Sequence, residues 1–481
     1  MPIATGEQYR QSLSARQAEI YAGGERVADV TTHPLTVPGV NAVALLYDLA
    51  QDPELTGLMQ ARSHLTGERV HRYCHIPQSS DDLLKKIQAS RKAAETSPIS
   101  GLASWGVDLL SALSVITHGM QRELGSPYYE RFLHYLRHYQ GQNLWSAVGV
   151  TDVKGDRRLR PSEQEDPDLY VRVVGRNDRG ITVRGAKAHT TGAPVAHELI
   201  VIPTRALRAG DSDYAVAFAV PPDTPGVKMI CRAGSLAQAE SLDAPMSGRF
   251  SLVETLTIFE DVFVPWERVF LCGEWPYAGP LVELFATFHR HTYAGAKAAM
   301  LDLLIGAAAL AAEYNGVAGA RHIQDKLADL VQSAELIYSA GVAAALDSTT
   351  AGPGTAVPDP AKTNAGKNFS GVKFYEAIRV VHDIAGGLVV TMPGEADYRN
   401  PLTQPYIEKY FKGAKGIPTL DRLKLFKFIR DLTASDLGGM WMVESLHGGG
   451  SLEAEKIAMR AHYPLDHAKG LVRTLARLTS G

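Results

Sequence analysis

The chain has 481 residues, of which 45% are hydrophobic and 21% charged, and its formal net charge is −3. At about 150 residues per domain this length predicts roughly two to four domains, and the small net charge excludes a global field that recruits nucleic acid or an anionic membrane. The three cysteines are scattered along the chain, which predicts no disulfides. We also find no apolar run of roughly 18 residues and no secretion signal. The sequence therefore predicts a cytoplasmic protein without membrane spans.

Residues 1–145 are predicted to form an N-terminal helical domain. Apolar residues recur there at spacings of three and four, as in VNAVALLYDLAQDP and GVDLLSALSVITHGMQREL, which is the period of a helix with one buried face. The segment HRYCHIP contains two histidines and a cysteine, but a zinc ion needs a fourth ligand nearby. We therefore predict no metal site.

Residues 146–275 are predicted to form a middle, mainly antiparallel β domain. Short β-rich runs such as DLYVRVVGR, GITVRGAK and YAVAFAVPP are separated by turn signals such as NDRG. Glu254 lies among apolar neighbours at the start of a further run, ETLTIFEDVFVP. A carboxyl group in apolar surroundings has a raised pKa and suits acid–base chemistry, although a structural salt bridge would explain the same residue.

Residues 276–481 are predicted to form a C-terminal helical bundle. In FHRHTYAGAKAAM, His289, Tyr293 and Lys297 are four residues apart, and on a helix such residues are displaced by only about 40° around the axis. An imidazole, a phenol and a cation on one stripe suit acid–base catalysis. A polar helix surface or a histidine satisfied in the core would show the same spacing.

Three further segments are candidates for cofactor binding. The loops VTDVKGDRR (150–158) and AKAHTTGAP (186–194) offer hydroxyl groups, cations and backbone N–H groups, as a charged surface turn also would. The glycine pair in AGGLVVTMPGE (385–395) allows close approach of a ligand or a partner subunit. Glu444, which precedes His447 and three glycines, is a second candidate acid or base, or a structural cap.

Taken in order, these segments resemble the 4-hydroxyphenylacetate hydroxylase family, and in particular its 4-hydroxybutyryl-CoA dehydratase branch. The matching stretches run from HRYCHIPQSSDDLL through TDVKGDR and FHRHTYAGAKAAM to ESLHGGGS. The resemblance implies an α+β, acyl-CoA dehydrogenase-like fold, FAD between the β and C-terminal domains, and a homotetramer. The residues that it assigns to flavin contacts are Thr151, Lys154, Asp156, Arg157, His189, Thr190, Thr191, Gly386, Gly387, His447 and Gly448.

The same resemblance contains departures that bear on the reaction. The dehydratase branch holds an iron–sulfur cluster with one histidine and three cysteines. The histidine matches His289, whereas Ser100, Ser104 and Ala296 stand at the cysteine positions. Because one imidazole cannot hold such a cluster, we expect FAD without an iron–sulfur cluster. The residues that match active-site positions of this branch are Glu254, Tyr293, Lys297 and Glu444.

Several kinds of function remain open. The missing cluster favours a two-component monooxygenase, in which a separate flavin reductase supplies reduced FAD and oxygen reacts with an organic, aromatic or specialised-metabolite substrate. The phenol-binding residues of the monooxygenase branch are replaced here by Trp105, Leu109 and Val148. The retained ionisable residues favour a cluster-free, redox-neutral dehydratase or isomerase of a CoA thioester, or a flavin-dependent desaturase. We predict the monooxygenase first and keep these enzymes, and a non-catalytic binding protein, as alternatives.

Overall fold

Helices dominate both ends of the chain. The computed structural model describes residues 3–232 and 241–478. The helices ahead of the main strands are α1 (Gly6–Ser14), α2 (Val37–Gln51), α3 (Thr56–Met59), α4 (Ser80–Thr96), α5 (Pro98–Leu102), α6 (Trp105–Leu124) and α7 (Tyr128–Gly141). The later helices are α8 (Ala278–Tyr314), α9 (Arg321–Leu346), α10 (Pro360–Ala385), α11 (Leu388–Thr391), α12 (Glu395–Arg399), α13 (Gln404–Tyr410), α14 (Thr419–Thr433), α15 (Asp436–His447), α16 (Leu452–His462) and α17 (Leu465–Leu475).

Most strands of the two larger sheets lie between these two groups of helices in the sequence. The strands are β1 (Glu19–Ala22), β2 (Glu25–Arg26), β3 (Gln60–Arg62), β4 (Arg69–His71), β5 (Ser146–Gly149), β6 (Arg172–Arg176), β7 (Gly180–Lys187), β8 (Glu198–Val201), β9 (Val216–Val220), β10 (Val227–Cys231), β11 (Thr255–Pro265), β12 (Val269–Cys272), β13 (Thr349–Ala351) and β14 (Thr355–Val357). A six-stranded sheet has the order β2-β1-β10-β11-β7-β6, and a four-stranded sheet has the order β12-β9-β8-β5. The protein is therefore a mixed helical and sheet structure, as predicted.

The sheets include strands from outside the stretch that was predicted to form them. β1 and β2 lie in the stretch predicted to be helical, and β1 pairs in parallel with β10, so that Ile20 stands opposite Met229. β5 also pairs in parallel with β8, whereas the other pairs between the described strands of these two sheets are antiparallel. The four residues of β1 are too few for an alternating pattern to be read from sequence. Ile20 and Ala22 are buried, so this strand joins the N-terminal segment to the central sheet.

Helix α8 is enclosed by its neighbours. Every residue from Phe285 to Leu301 is buried, and the helix packs against α4, α6, α9 and α10. Gly295 permits the close approach of α4, because a Cβ there would lie 2.9 Å from the carbonyl carbon of Ile87. Polar side chains on such a helix have little access to water and need partners inside the protein. Those partners define the candidate active site.

Two helical stretches are long and apolar enough to pass a composition test for membrane spans, Pro98–Leu124 and Trp275–Tyr314. In the protein, 89% and 67% of their most apolar windows are buried. Burial of this kind is typical of core helices. The length and composition of these two stretches are therefore only weak evidence for a membrane span.

Candidate active site

Glu444 on α15 binds two residues of α8. The Tyr293 hydroxyl donates a hydrogen bond to Glu444 Oε1, and Lys297 Nζ lies 2.5 Å from Glu444 Oε2. Tyr293 and Lys297 are four residues apart on the helix, so their side chains leave the same face. Both are buried, with 2% and 1% of their surface exposed. The structure thus joins three of the residues predicted for acid–base chemistry.

The three groups shift one another's ionisation. Burial raises the pKa of Glu444, but the Lys297 charge and the hydrogen bonds from Lys297 and Tyr293 outweigh it and hold that pKa below its ordinary value. Burial, followed by the Glu444 charge, raises the pKa of Tyr293 well above its ordinary value. Glu444 is therefore a carboxylate, and Tyr293 a neutral phenol, at neutral pH.

A second buried ion pair lies behind this cluster. Lys367 Nζ on α10 lies 3.2 Å from Glu455 Oε1 on α16. The same ammonium group donates to the Ser445 carbonyl at 2.8 Å and lies 4.8 Å from the centre of the Tyr293 ring. Sequence reasoning missed this pair, which ties α10 and α16 to the candidate active site.

His289 has a different partner from Tyr293 and Lys297. Its Nδ1 lies 3.0 Å from Asp108 Oδ2 on α6. Its ring stacks on Phe285, with 5.6 Å between the centroids, and meets the Tyr293 ring edge-on at 5.2 Å. Among the described residues, Nε2 of His289 has no hydrogen-bond partner. Packing therefore holds the ring and leaves one nitrogen free.

Asp108 is a candidate functional residue that sequence reasoning missed. It is fully buried, and its Oδ2 accepts hydrogen bonds from Ser104 and Thr292, each at 3.2 Å. Lys86 on α4 forms an ion pair with Oδ1. Burial raises the pKa of Asp108, but the Lys86 charge and the hydrogen bond with His289 lower it below its ordinary value. Asp108 is thus an ionised carboxylate in the protein interior.

Glu254 precedes β11 and is half-buried. The Thr191 hydroxyl lies 2.7 Å and 2.9 Å from its two carboxylate oxygens. Burial raises the pKa of Glu254 to about 7; the Thr191 hydrogen bond and the Arg232 charge oppose this shift, and the Glu444 charge adds to it. Glu254 is therefore a carboxyl group with a raised pKa that is held by Thr191 of the second predicted flavin loop.

The two predicted flavin loops meet in the structure. The Ala188 amide donates to the Thr151 carbonyl at 2.7 Å, and Lys187 forms a buried ion pair with Asp152 at 2.6 Å. Lys154 and His189 have φ values of 76° and 55°, a conformation that is uncommon for residues other than glycine. Such backbone is held by its surroundings and clusters at ligand sites.

His447, at the end of α15, approaches the same loops. Burial, followed by the charges of Lys154 and His447, lowers the pKa of His189. Thr190, the residue after His189, has a buried hydroxyl without a hydrogen-bond partner in the described part of the chain. These loops can receive a ligand that carries acceptor atoms and negative charge, as the phosphate-bearing FAD does.

Four of the predicted flavin residues lie at the surface. Asp156 pairs with Arg158 at 2.6 Å on the surface, and Arg157 is exposed. Gly386 and Gly387 lie exposed at the end of α10, and a Cβ on either would meet nothing within 4 Å. Their contact with flavin remains a prediction, which for the glycines involves a second copy of the chain.

The positions that the resemblance assigns to cluster cysteines are occupied by packed side chains. Ser100 donates to a backbone carbonyl of α2 at 2.7 Å, Ser104 binds Asp108, and Ala296 is fully buried. Among the described residues, no group of three or more His, Cys, Asp or Glu side chains could hold a metal ion. The groups around His289 carry oxygen and nitrogen and do not fit a cluster that needs thiolates.

Two family models match consecutive parts of the chain. The model described as 4-hydroxyphenylacetate 3-hydroxylase N terminal matches residues 5–271, and the model described as 4-hydroxyphenylacetate 3-hydroxylase C terminal matches residues 278–477. The 4-hydroxybutyryl-CoA dehydratase/vinylacetyl-CoA-Delta-isomerase of Clostridium aminobutyricum is 36% identical, over 98% of this chain and 99% of its own.

Solved structures from both branches are also similar. An oxygen-tolerant archaeal 4-hydroxybutyryl-CoA dehydratase from N. maritimus matches with a TM-score of 0.95 and 36% identity, covering 100% of this chain and 96% of its own. The oxygenase component of 4-hydroxyphenylacetate 3-monooxygenase, in complex with FAD, matches with a TM-score of 0.89 and 28% identity, covering 98% of both chains. The chain is thus similar to a dehydratase and to a FAD-bound oxygenase component.

Proposed function

The chain belongs to the 4-hydroxyphenylacetate 3-hydroxylase family, and on that premise we propose a FAD-dependent enzyme that moves protons within a small acid bound as a CoA thioester. The reaction is an isomerisation or elimination without net oxidation. This order of preference reverses the one drawn from sequence, where the missing cluster favoured oxygenation. The reason is the ionisation of the site, and the higher similarity to dehydratases supports it.

Glu254 is the residue on which the proposal rests. A pKa of about 7 keeps a large fraction of this carboxyl group protonated at neutral pH. A proton donor works best when its pKa lies near the working pH. Thr191 fixes the position of the carboxyl group. Glu254 is thus suited to deliver a proton to a carbon atom or to a departing hydroxyl group.

His289 is suited to the opposite task. Its Nδ1 is engaged by Asp108, which leaves Nε2 to take a proton from the carbon next to a thioester carbonyl. The electron pair of that C–H bond then moves into the carbon skeleton. Glu254 returns a proton at another carbon in an isomerisation, or protonates a hydroxyl group that leaves as water in an elimination. Tyr293, which Glu444 and Lys297 hold in place, packs edge-on against the His289 ring.

FAD is the cofactor that the surrounding residues fit. Lys154 provides positive charge and His189 an imidazole beside the unpaired hydroxyl of Thr190, and Thr151 and Thr191 belong to the same loops. Bound FAD would supply electron-transfer capacity next to the substrate. The same proposal includes four further expectations: an acyl-CoA dehydrogenase-like domain arrangement, the lack of an iron–sulfur cluster, a homotetramer and a cytoplasmic location.

A two-component monooxygenase is the second candidate. It is supported by the likeness to a FAD-bound oxygenase component and by the oxygen and nitrogen groups where thiolates would be needed. In that case a separate reductase supplies reduced FAD, and His289 positions an organic substrate. The two candidates differ in their requirement for oxygen.

The first test is solvent exchange under strict exclusion of oxygen. We expect the FAD-loaded enzyme in deuterated water to incorporate deuterium into vinylacetyl-CoA and to convert it to the conjugated isomer, measured by mass spectrometry and ultraviolet absorbance. His289→Ala should lose the exchange and retain FAD, because His289 takes the proton and does not belong to the flavin loops. Product formation that requires both oxygen and reduced FAD, without anaerobic exchange, would favour the monooxygenase.

Gly448 offers a test of the Tyr293–Glu444 contact. A Cβ at this position would overlap the Tyr293 hydroxyl and lie 2.6 Å from Glu444 Oε1. We expect Gly448→Ala to displace the phenol and lower the exchange rate by about tenfold or more, because small displacements of catalytic groups are costly. Gly439→Ala, in open space on the same helix, is the matched control. Equal rates in the two variants would contradict the expectation.

A further inference from the structure

Lys86, Asp108 and His289 form a buried chain of polar groups across three helices. Lys86 lies on α4, Asp108 in the first turn of α6 and His289 on α8. Their exposed fractions are 4%, 0% and 8%. Lys86 pairs with one carboxylate oxygen of Asp108, and His289 Nδ1 binds the other. The carboxylate therefore lies between an ammonium group and an imidazole.

The remaining contacts hold this chain in place. Lys86 Nζ also donates to the Phe288 carbonyl at 3.1 Å, one residue before the histidine. Ser104 and Thr292 donate to the oxygen of Asp108 that His289 contacts. An ionised carboxylate can only accept hydrogen bonds. The proton of a neutral His289 ring must therefore lie on Nδ1, which leaves the lone pair on Nε2.

The Lys86 charge compensates the buried Asp108 carboxylate beside the imidazole. A buried carboxylate without an opposite charge is costly, and an adjacent imidazole would accept a proton to supply that charge. Lys86 supplies it already, so the ion pair has no net charge next to the ring. A protonated imidazole would have N–H groups at both nitrogens and could not accept a proton.

We infer that Lys86 and Asp108 are positioning residues that hold His289 as the neutral Nδ1–H tautomer, with Nε2 as the base that faces substrate. The inference rests on the function proposed above, in which His289 takes a proton. It assigns a functional role to the buried lysine and aspartate, neither of which touches the substrate.

The direct test is the ring nitrogen spectrum of His289 in the FAD-loaded, ¹⁵N-histidine-labelled enzyme, assigned by its loss in His289→Gln. At neutral pH we expect a protonated Nδ1 and an unprotonated Nε2. Lys86→Met should give a ring protonated at both nitrogens, and Lys86→Arg should keep the wild-type spectrum. Asp108→Asn should lose the tautomer preference. Lys85→Met, which removes a neighbouring lysine that pairs with Asp81 on the surface, is the matched control.

The rate of exchange gives a second readout. Removing the Lys86 charge should lower the exchange rate most in acid, so the ratio of Lys86→Met to wild-type rates should rise with pH. Both enzymes keep the other ionisable groups next to this chain. These are Tyr293 against the His289 ring, His291 on α8 and Tyr73 ahead of α4, which interact with Asp108, and Glu444 and Lys367, which contact Tyr293. The change in this ratio therefore reports on Lys86.

Three outcomes are informative. A wild-type ring with its proton on Nε2, or a folded Lys86→Met enzyme with the wild-type spectrum, would overturn the inference. If Lys86→Met does not fold, Lys86→Arg and Asp108→Asn still test it through the tautomer. The expected tautomer in an enzyme without anaerobic exchange would contradict the proposed reaction and support the inference about His289, because the spectrum does not depend on turnover.

Discussion

Replacing Glu444 with glutamine is expected to lower the free energy of unfolding by about 3–5 kcal/mol, because it leaves the Lys297 ammonium buried without an opposite charge. Lys297 is 1% exposed and lies 2.5 Å from the carboxylate that would be lost. The Tyr293 hydroxyl would also lose its charged acceptor. We expect the exchange rate to fall by about 10²-fold or more, a typical loss for an acid–base site that is no longer held in place.

The double variant Lys297→Met/Glu444→Gln separates stability from catalysis. Removing both charges should recover most of the lost stability, whereas the exchange rate should stay low because the support of Tyr293 is still missing. Glu376→Gln, in the exposed pair with Lys373, should cost less than about 1 kcal/mol. Denaturant unfolding measures all three. A double variant as unstable as Glu444→Gln would show that the unpaired charge is not the cause.

The loss of stability in Glu444→Gln is expected to depend on pH. The pKa of Glu444 is lower in the folded protein than its ordinary value of 4.5, so the ion pair stabilises the fold above that pH. The stabilisation is lost as the pH falls below it through the folded value. The difference between wild type and Glu444→Gln should therefore be largest at neutral pH and shrink in acid.

Local patterns in the sequence led to part of the site. The four-residue spacing on α8 predicted that His289, Tyr293 and Lys297 follow one another along a helix, and the structure has the first two rings 5.2 Å apart. Glu254 and Glu444 were singled out by their apolar or glycine-rich surroundings. A period or a composition bias is visible within a short window, so residues of this kind can be found from sequence.

The partners of these residues could not be found in the same way. Asp108 and His289 are 181 residues apart, and the Lys86 ammonium binds a carbonyl 202 residues away. Lys86 directly follows Lys85, which forms an ordinary surface pair with Asp81, so nothing local marks Lys86 as buried. Only the packing of α4 and α6 on α8 brings the three groups together.

The same limit applies to the sheets. β1 is four residues long. It pairs with β10, where Glu19 stands opposite Lys228, 209 residues later in the chain. The parallel pairing therefore has no local signal in the sequence. The longer antiparallel strands are bounded by turn residues such as NDRG, so the sequence predicts them. Short strands and side-chain pairs between distant elements both depend on tertiary structure.

Glu254→Gln should abolish proton delivery and lower the exchange rate by about 10²–10⁴-fold, because glutamine fills the same space without an ionisable proton. FAD binding should be retained, since the flavin loops are unchanged. In the wild type the rate should fall as the pH rises through about 7, where Glu254 loses its proton; this dependence should be absent from the residual rate of the variant. Glu260→Gln, on the exposed face of β11, is the matched control.

The same variant should make the protein more stable at alkaline pH. The pKa of Glu254 rises from 4.5 to about 7 on folding, so its ionisation opposes folding. The penalty appears as the pH rises above 4.5 and reaches its full size above about 7, on the order of 3 kcal/mol. Glutamine does not ionise and so does not incur this penalty. The free energy of unfolding of Glu254→Gln should therefore equal that of the wild type near pH 4 and exceed it above about pH 8. A stability difference that does not change with pH would show that Glu254 is ionised as easily in the folded as in the unfolded chain, and would remove it as the proton donor.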